Sequence, residues 1–338
     1  MENQEIQIYI YTRQDKNIDP DLVSALENLK AEFPNKLNSI TIDDDKFLST
    51  QFKDKVPVMD IGHYRLTHPI NREEIRFALS ETYKKIQVAN ERDSKLIIER
   101  FTKIPTISRS DRFSHWFSKH YMLLFNLAVF IYMAFAFMAP VFMKAGFTKA
   151  ANVIYMVYKP LCHQLAFRSF FLFGEQIAYP REAAHVEGLL TYGDVSGLEE
   201  NDIIAARDFN GNEETGYKVA LCERDIAIYI AILLFGIVFS LSRRYIPPVP
   251  WYVWLIFGIV PIGLDGFSQL LSQTGYAFFN WLPYRESTPL LRTITGGLFG
   301  LFTAWFGYPY VEETVAENRN QLENKYAIIR QLAGKKRT

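Results

Sequence analysis

Four long apolar stretches crowd into the chain after Tyr121, and nothing comparable precedes them. They cover residues 121–143, 227–241, 251–271 and 290–310. Crossing a bilayer core of about 30 Å takes roughly 20 residues of helix, because only a helix or a closed barrel satisfies its backbone amides in lipid. The second stretch reaches that length when counted from near Cys222. The pattern therefore predicts a soluble front, residues 1–100, joined to a helical membrane domain, residues 121–310. With 338 residues the chain has room for about two domains. Lys+Arg and Asp+Glu are equal at 37 each, so net charge points to no nucleic-acid partner. The first residues lack the charged region and short apolar core of a cleaved signal peptide.

The front reads as a small α/β domain. Residues 5–12, EIQIYIYT, alternate as a strand does, and Asp19-Pro20 opens a helix. A second strand (LNSITIDD), a short helix (KFLSTQFK), a hairpin (VPVMDIG and YRLTH) and a closing helix (NREEIRFALSETYKKI) follow. The order β-α-β-α-β-β-α resembles the thioredoxin fold, in particular its glutaredoxin-like branch. Val56-Pro57-Val58 stands where that fold carries its cis-proline. The resemblance implies a Cys-x-x-Cys after the first strand, where a helix N-terminus activates a thiol. Lys16 and Asp19 occupy those places instead, and no cysteine precedes Cys162. The domain is expected to be redox-inert and to dock a partner.

Basic residues near the ends of the apolar stretches set an orientation. Arg109, Arg112 and Lys119 precede the first, Arg243 and Arg244 follow the second, and the chain ends GKKRT. Placing all three groups in the cytoplasm gives four crossings of the cell (inner) membrane with both termini inside. Lys144 and Lys149 count against it. Residues 101–120 read as a basic, aromatic interfacial linker, and 311–338 as a charged cytoplasmic helix. A weaker apolar stretch, 153–173, contains Lys159, Pro160, His163 and Arg168, which suits an interfacial or re-entrant helix better than a lipid-facing span.

With that orientation, four polar clusters meet at the outer end of the bundle. They are Cys162, His163, Gln164 and Arg168; Cys222, Arg224 and Asp225; Asp265 and Gln269; and Arg285, Glu286, Ser287, Arg292 and Thr295. The loop 175–218 is outside as well. Helical spacing puts Gln164 with Arg168, Asp225 with Tyr229, Asp265 with Gln269, and Thr288 with Arg292 on shared faces. Gly296, Gly300 and Ala304 form a small-residue stripe that permits close helix contact.

These clusters resemble a bacterial and archaeal membrane family, the domain of unknown function 2085. The likeness rests on Cys162-His163-Gln164 with Arg168-Ser169, Cys222-Glu223-Arg224-Asp225, Asp265-Gly266 with Gln269, and Arg285-Glu286-Ser287-Thr288 with Arg292, Thr295 and Gly296. It spans residues 121–310 and implies no particular activity. The long loop before Cys222, and Asp225 in place of a third cysteine, depart from the pattern.

Four readings of the thiols stay open: a Cys162–Cys222 disulfide on the oxidising side; zinc held by Cys162, His163 and Cys222 with Asp225 or Asp265, residue types that suit that ion; a redox-active pair exchanging with quinone or thiols; or free, inert thiols. Arg168, Arg224, Arg285 and Arg292 outnumber Asp225, Asp265 and Glu286. That excess suits the phosphate or carboxylate of an anionic, lipid-like ligand, with Gln164, Gln269, Ser287 and Thr295 completing the site. The acid/base candidates are His163, which titrates near neutrality, and Asp265. Expected partners are membrane lipids and, on the alternative reading of a non-catalytic assembly protein, other subunits of a membrane complex.

Overall fold

A computed structural model describes residues 4–15, 18–274 and 283–335. It divides into two compact units, residues 1–119 with 316–338, and residues 120–315.

The first unit is built on a mixed sheet. Strand β1 (Ile6–Thr12) leads through helix α1 (Pro20–Leu29) to β2 (Asn35–Thr41), then through α2 (Lys46–Phe52) to β3 (Val58–Ile61) and β4 (Tyr64–Thr67). Helices α3 (Arg72–Glu91) and α4 (Lys95–Thr102) close it. The sheet order is β2-β1-β3-β4, with β1 parallel to β2 and antiparallel to β3. The elements thus follow the expected order, with α4 added. Asp19 caps α1 by accepting from the Asp21 amide, and Pro20 fills its first turn.

Alternation along β1 sends Ile6, Ile8 and Ile10 to one face, where Leu26, Leu29, Ile75 and Leu79 cover them. Tyr11, Ile40 and Val58 on the other face pack with Leu48, Phe52, Ala327 and Ile328. The β3–β4 turn needs Gly62 at φ +60, because a Cβ there would lie 2.3 Å from Thr82 Oγ1. The Val56–Pro57 bond is cis, as expected from sequence, and so is His68–Pro69. Ile18, Asp19, Val56 and Pro57 help line a cleft of about 330 Å³; Lys16, the other residue expected in place of the thiols, lies outside the described residues.

The second unit is mostly helical. Its elements include α5 (Arg109–Lys144), α6 (Thr148–Tyr158), β5 (Ser169–Leu172), α7 (Tyr192–Ser196), α8 (Ile203–Asp208), β6 (Gly211–Asn212) and β7 (Gly216–Cys222). There follow α9 (Glu223–Leu241), then α10 (Trp251–Val253), a π-helical stretch (Trp254–Ile259) and α11 (Val260–Gln273), and finally α12 (Pro289–Lys335). Helices α5 and α12 run through both units. Three helices among the described residues are long and apolar enough to cross a membrane: Arg109–Lys144, Glu223–Leu241 and Trp251–Gln273. Only 22, 28 and 17% of their most apolar windows is buried. Leu123, Phe130, Leu234, Leu264 and Phe267 stand exposed, and an apolar surface of that extent calls for lipid. The stretch 290–310 forms the front of α12 but is not among the three; Arg292, three threonines and four glycines dilute it.

Several sequence expectations need correction. The stretch 153–173 is not one helix: α6 ends at Tyr158, and Arg168 closes a 3₁₀ turn that leads into β5. Gln164 has φ +53, so it shares no helix face with Arg168. Thr288 precedes α12 and caps it, its Oγ1 accepting from the Leu291 amide. Residues 169–222 contain a sheet, β5-β7-β6, whose first strand lies inside the stretch expected to be helical. Residues 311–335 continue α12 past Pro309 rather than starting a new helix.

A ring of buried carboxylates and arginines

Helix α11 carries Asp265, Gln269 and Gln273 at four-residue steps, so all three share one face. The segment 285–288, which leads into α12, sets Arg285, Glu286 and Ser287 against that face. Glu286 is the centre of the arrangement, with its side chain 1% exposed. Its carboxylate accepts from Arg168 Nε at 2.7 Å and Nη2 at 3.1 Å. It also accepts from Arg181 Nη1 at 3.4 Å, Gln269 Nε2 at 2.9 Å, Gln273 Nε2 at 3.1 Å and from Arg292 Nη2. Burial alone raises the Glu286 carboxyl, but the Arg168 hydrogen bonds and the Arg168 and Arg292 charges outweigh it and hold the group below its ordinary range.

Asp265 is the second centre. It accepts from Arg224 Nη2, from Arg285 Nη2 at 2.9 Å and from Ser287 Oγ at 2.8 Å. Ser268 Oγ supports Arg285 Nη1 at 2.6 Å. Glu223 completes the set by accepting from Arg292 Nη1 at 3.3 Å, and the same nitrogen donates to the Phe167 carbonyl. Five guanidiniums therefore meet three carboxylates, a formal excess of two positive charges. Arg181 and Arg292 are buried, whereas Arg168, Arg224 and Arg285 are 30, 24 and 32% exposed. Arg224 Nε is buried and has no hydrogen-bond partner among the described residues.

Close contact between α9 and α12 keeps this ring together. A Cβ on Gly296 would lie 2.6 Å from the Arg224 carbonyl oxygen, and one on Gly300 would lie 2.3 Å from that of Ile228. An open cleft of about 440 Å³ adjoins Arg181 and is lined also by His185, Asn201, Tyr284, Glu182 and Glu200. Its two carboxylates make it a poorer receptacle for an anion than the open edges of Arg168, Arg224 and Arg285.

The thiols form a separate group. Cys162 lies in the loop after α6, and Cys222 caps α9. Both are free, and their sulfurs and an Asp225 oxygen lie within 4.8 Å of one another. The hydrogen bond with Cys222 holds the Cys162 thiol below its ordinary range and pushes that of Cys222 well above. Gln164 ties α6 to β7, its Nε2 donating to the Tyr155 and Ala220 carbonyls at 3.0 Å each. Lys218, on β7, is fully buried, and its amine donates to the Gln164 carbonyl at 3.0 Å and the Arg207 carbonyl at 2.5 Å. Burial brings this amine down to about 7.

Arg168, Arg224, Asp265, Gln269, Arg285, Glu286, Ser287 and Arg292 are thus brought together. Arg168 and Arg292 both pair with Glu286, and Asp225 belongs to the thiol group. Gln164 donates to two backbone carbonyls, and its buried Oε1 has no hydrogen-bond partner among the described residues. Thr295 is buried but bonds its hydroxyl to the Leu291 carbonyl on its own helix. His163 is exposed, outside both groups, and has no hydrogen bond among the described residues. Both oxygens of Asp265 are engaged, by Arg224, Arg285 and Ser287. Sequence reasoning missed Gln273, one helical turn beyond Gln269, and Glu223, the neighbour of Arg224; spacing could have found both. Arg181 lies 105 residues from Glu286, and no local signal announces it.

Residues 214–306 match the family described as Predicted membrane protein (DUF2085). That stretch holds Cys222, Arg224, Asp265, Glu286 and Arg292. An uncharacterized protein of Methanocaldococcus jannaschii is 25% identical over 165 residues, covering 48% of this chain and 70% of that protein. No solved structure matches.

Proposed function

We propose that the chain is a cell-membrane protein whose arginine–carboxylate ring opens to the outer face and binds an anionic, lipid-like ligand. On this reading 290–310 is a fourth crossing, both termini are cytoplasmic, and the loop 175–218 is outside. The parts are a redox-inert, thioredoxin-like domain (1–100), an interfacial linker (101–120), the membrane domain (121–310) and a charged helix (311–338). One observation carries the ligand: five guanidiniums against three carboxylates, with Arg168, Arg224 and Arg285 partly open to solvent. A buried cluster with excess charge draws a counter-ion, and guanidinium forks match phosphate or carboxylate oxygens. Native mass spectrometry of the full chain in mild detergent tests it. An anionic lipid should be retained by the wild type and lost in Arg224→Gln, which leaves Asp265 held by Arg285 and Ser287. Retention of zwitterionic lipids alone would overturn the reading.

The alternative is a non-catalytic assembly subunit docked through its front domain. The cleft lined by Thr12, Arg13, Asp19, Pro57 and Pro69 favours it, since it is shaped by the cis-proline segment and holds no thiol. Co-purification of defined membrane subunits, abolished by Arg13→Glu, would support it.

A further inference from the structure

Outside the arginine ring, the strongest unassigned feature is the group formed by Cys162, Cys222 and Asp225. Two sulfurs and a carboxylate oxygen within 4.8 Å of one another form one face of a small coordination sphere. They come from two segments 60 residues apart, the loop after α6 and the β7–α9 junction. Both sulfurs already accept backbone amides: Cys162 Sγ from Cys222 N at 3.3 Å, and Cys222 Sγ from Asp225 N at 3.5 Å. Such bonds fix a thiolate's direction and stabilise its charge, the support that outer partners give to metal ligands. The first turn of α9 adds the positive end of its dipole. Tyr132, Tyr158 and Tyr229 belong to the same apolar cluster as both cysteines, the Tyr158 and Tyr229 rings lying 5.2 and 4.8 Å from that of Tyr132.

We infer that Cys162, Cys222 and Asp225 bind a zinc ion, with one coordination position left for an outside ligand. Thiolate and carboxylate donors at this spacing suit zinc, which favours four ligands in a tetrahedron. On binding, each thiol releases its proton to water and the sulfur's lone pair is donated to the metal. Three anionic ligands and Zn²⁺ leave one net negative charge, which the α9 N-terminus faces. A disulfide would use only the two sulfurs and leave Asp225 beside them without a role. His163, a ligand on the sequence reading, is exposed and outside the group.

The test uses the full chain, purified in detergent without a histidine tag. Elemental analysis should find about one zinc per chain. Cys162→Ser, Cys222→Ser and Asp225→Asn should each remove most of it, while His163→Ala keeps it. X-ray absorption on the wild type, which needs no variant to fold, should show two sulfurs at about 2.3 Å. A metal-free wild type after purification in zinc-containing buffer, an intact Cys162–Cys222 disulfide by mass spectrometry, or zinc without sulfur ligands would each overturn the inference.

Discussion

Asp265 and Asp208 show how far burial decides what one carboxylate is worth. Asp208 pairs with Lys159 at 2.8 Å on the exposed surface, where such pairs contribute about 0–1 kcal/mol. Asp265 is buried and holds two arginines and a serine; removing one partner of a buried pair costs about 3–5 kcal/mol. Asp265→Ala should therefore lower the thermal midpoint sharply, with Asp208→Ala near wild type. Lys218 gives a pH signature. Its folded-state amine, near 7, lies below the ordinary lysine value of about 10.4. The cost of burying it is thus fully present below about pH 7 and is relieved as pH rises towards 10. Wild-type stability relative to Lys218→Met should climb across that window, by up to about 1.4 kcal/mol per pH unit. Thermal unfolding at pH 6.5 to 9.5 checks this, and a flat difference would show the amine unperturbed. The acidic and basic members of the ring were mostly legible in sequence as charges where lipid was expected. Their pairing was not, because Glu286 draws on Arg168, Arg181 and Arg292 across separations that spacing rules do not span.

At the scale of elements, period and punctuation were enough for the front sheet and helices α1 to α3, but not for α4. The apolar runs located α5, α9 and α11 in the same way. What failed was the region between α6 and α9. Gln164 in a left-handed conformation, a 3₁₀ turn and four-residue β5 interrupt an apolar run that otherwise reads as helix. The strand pairing of β5 with β7 spans about 50 residues, a contact invisible to local pattern. The small-residue stripe was read correctly. Gly296 and Gly300 let the α12 backbone approach the α9 carbonyls. Gly300→Val should force those helices apart and cost at least the roughly 1–3 kcal/mol of an overpacked interface. Gly297→Ala, with open space at its Cβ position, should be tolerated. Detergent-solubilised yield and thermal midpoint distinguish the two.

For the whole molecule, the proposed orientation rests on basic residues alone. A reporter fused after Thr338 should read cytoplasm and one inserted near Gly197 should read outside; the opposite pair would move the ring to the inner face. Ligand binding by the ring is tested most directly by titrating the purified chain with an anionic phospholipid and, in parallel, with a zwitterionic one of the same acyl chains. A ligand that binds only the folded state stabilises it by about 2.7 kcal/mol at a hundred times its dissociation constant. The anionic lipid should raise the unfolding temperature in a saturable way, the zwitterionic one should not, and Arg285→Gln should abolish the difference. Equal stabilisation by both lipids, or an anionic effect unchanged in Arg285→Gln, would contradict binding at the arginine ring.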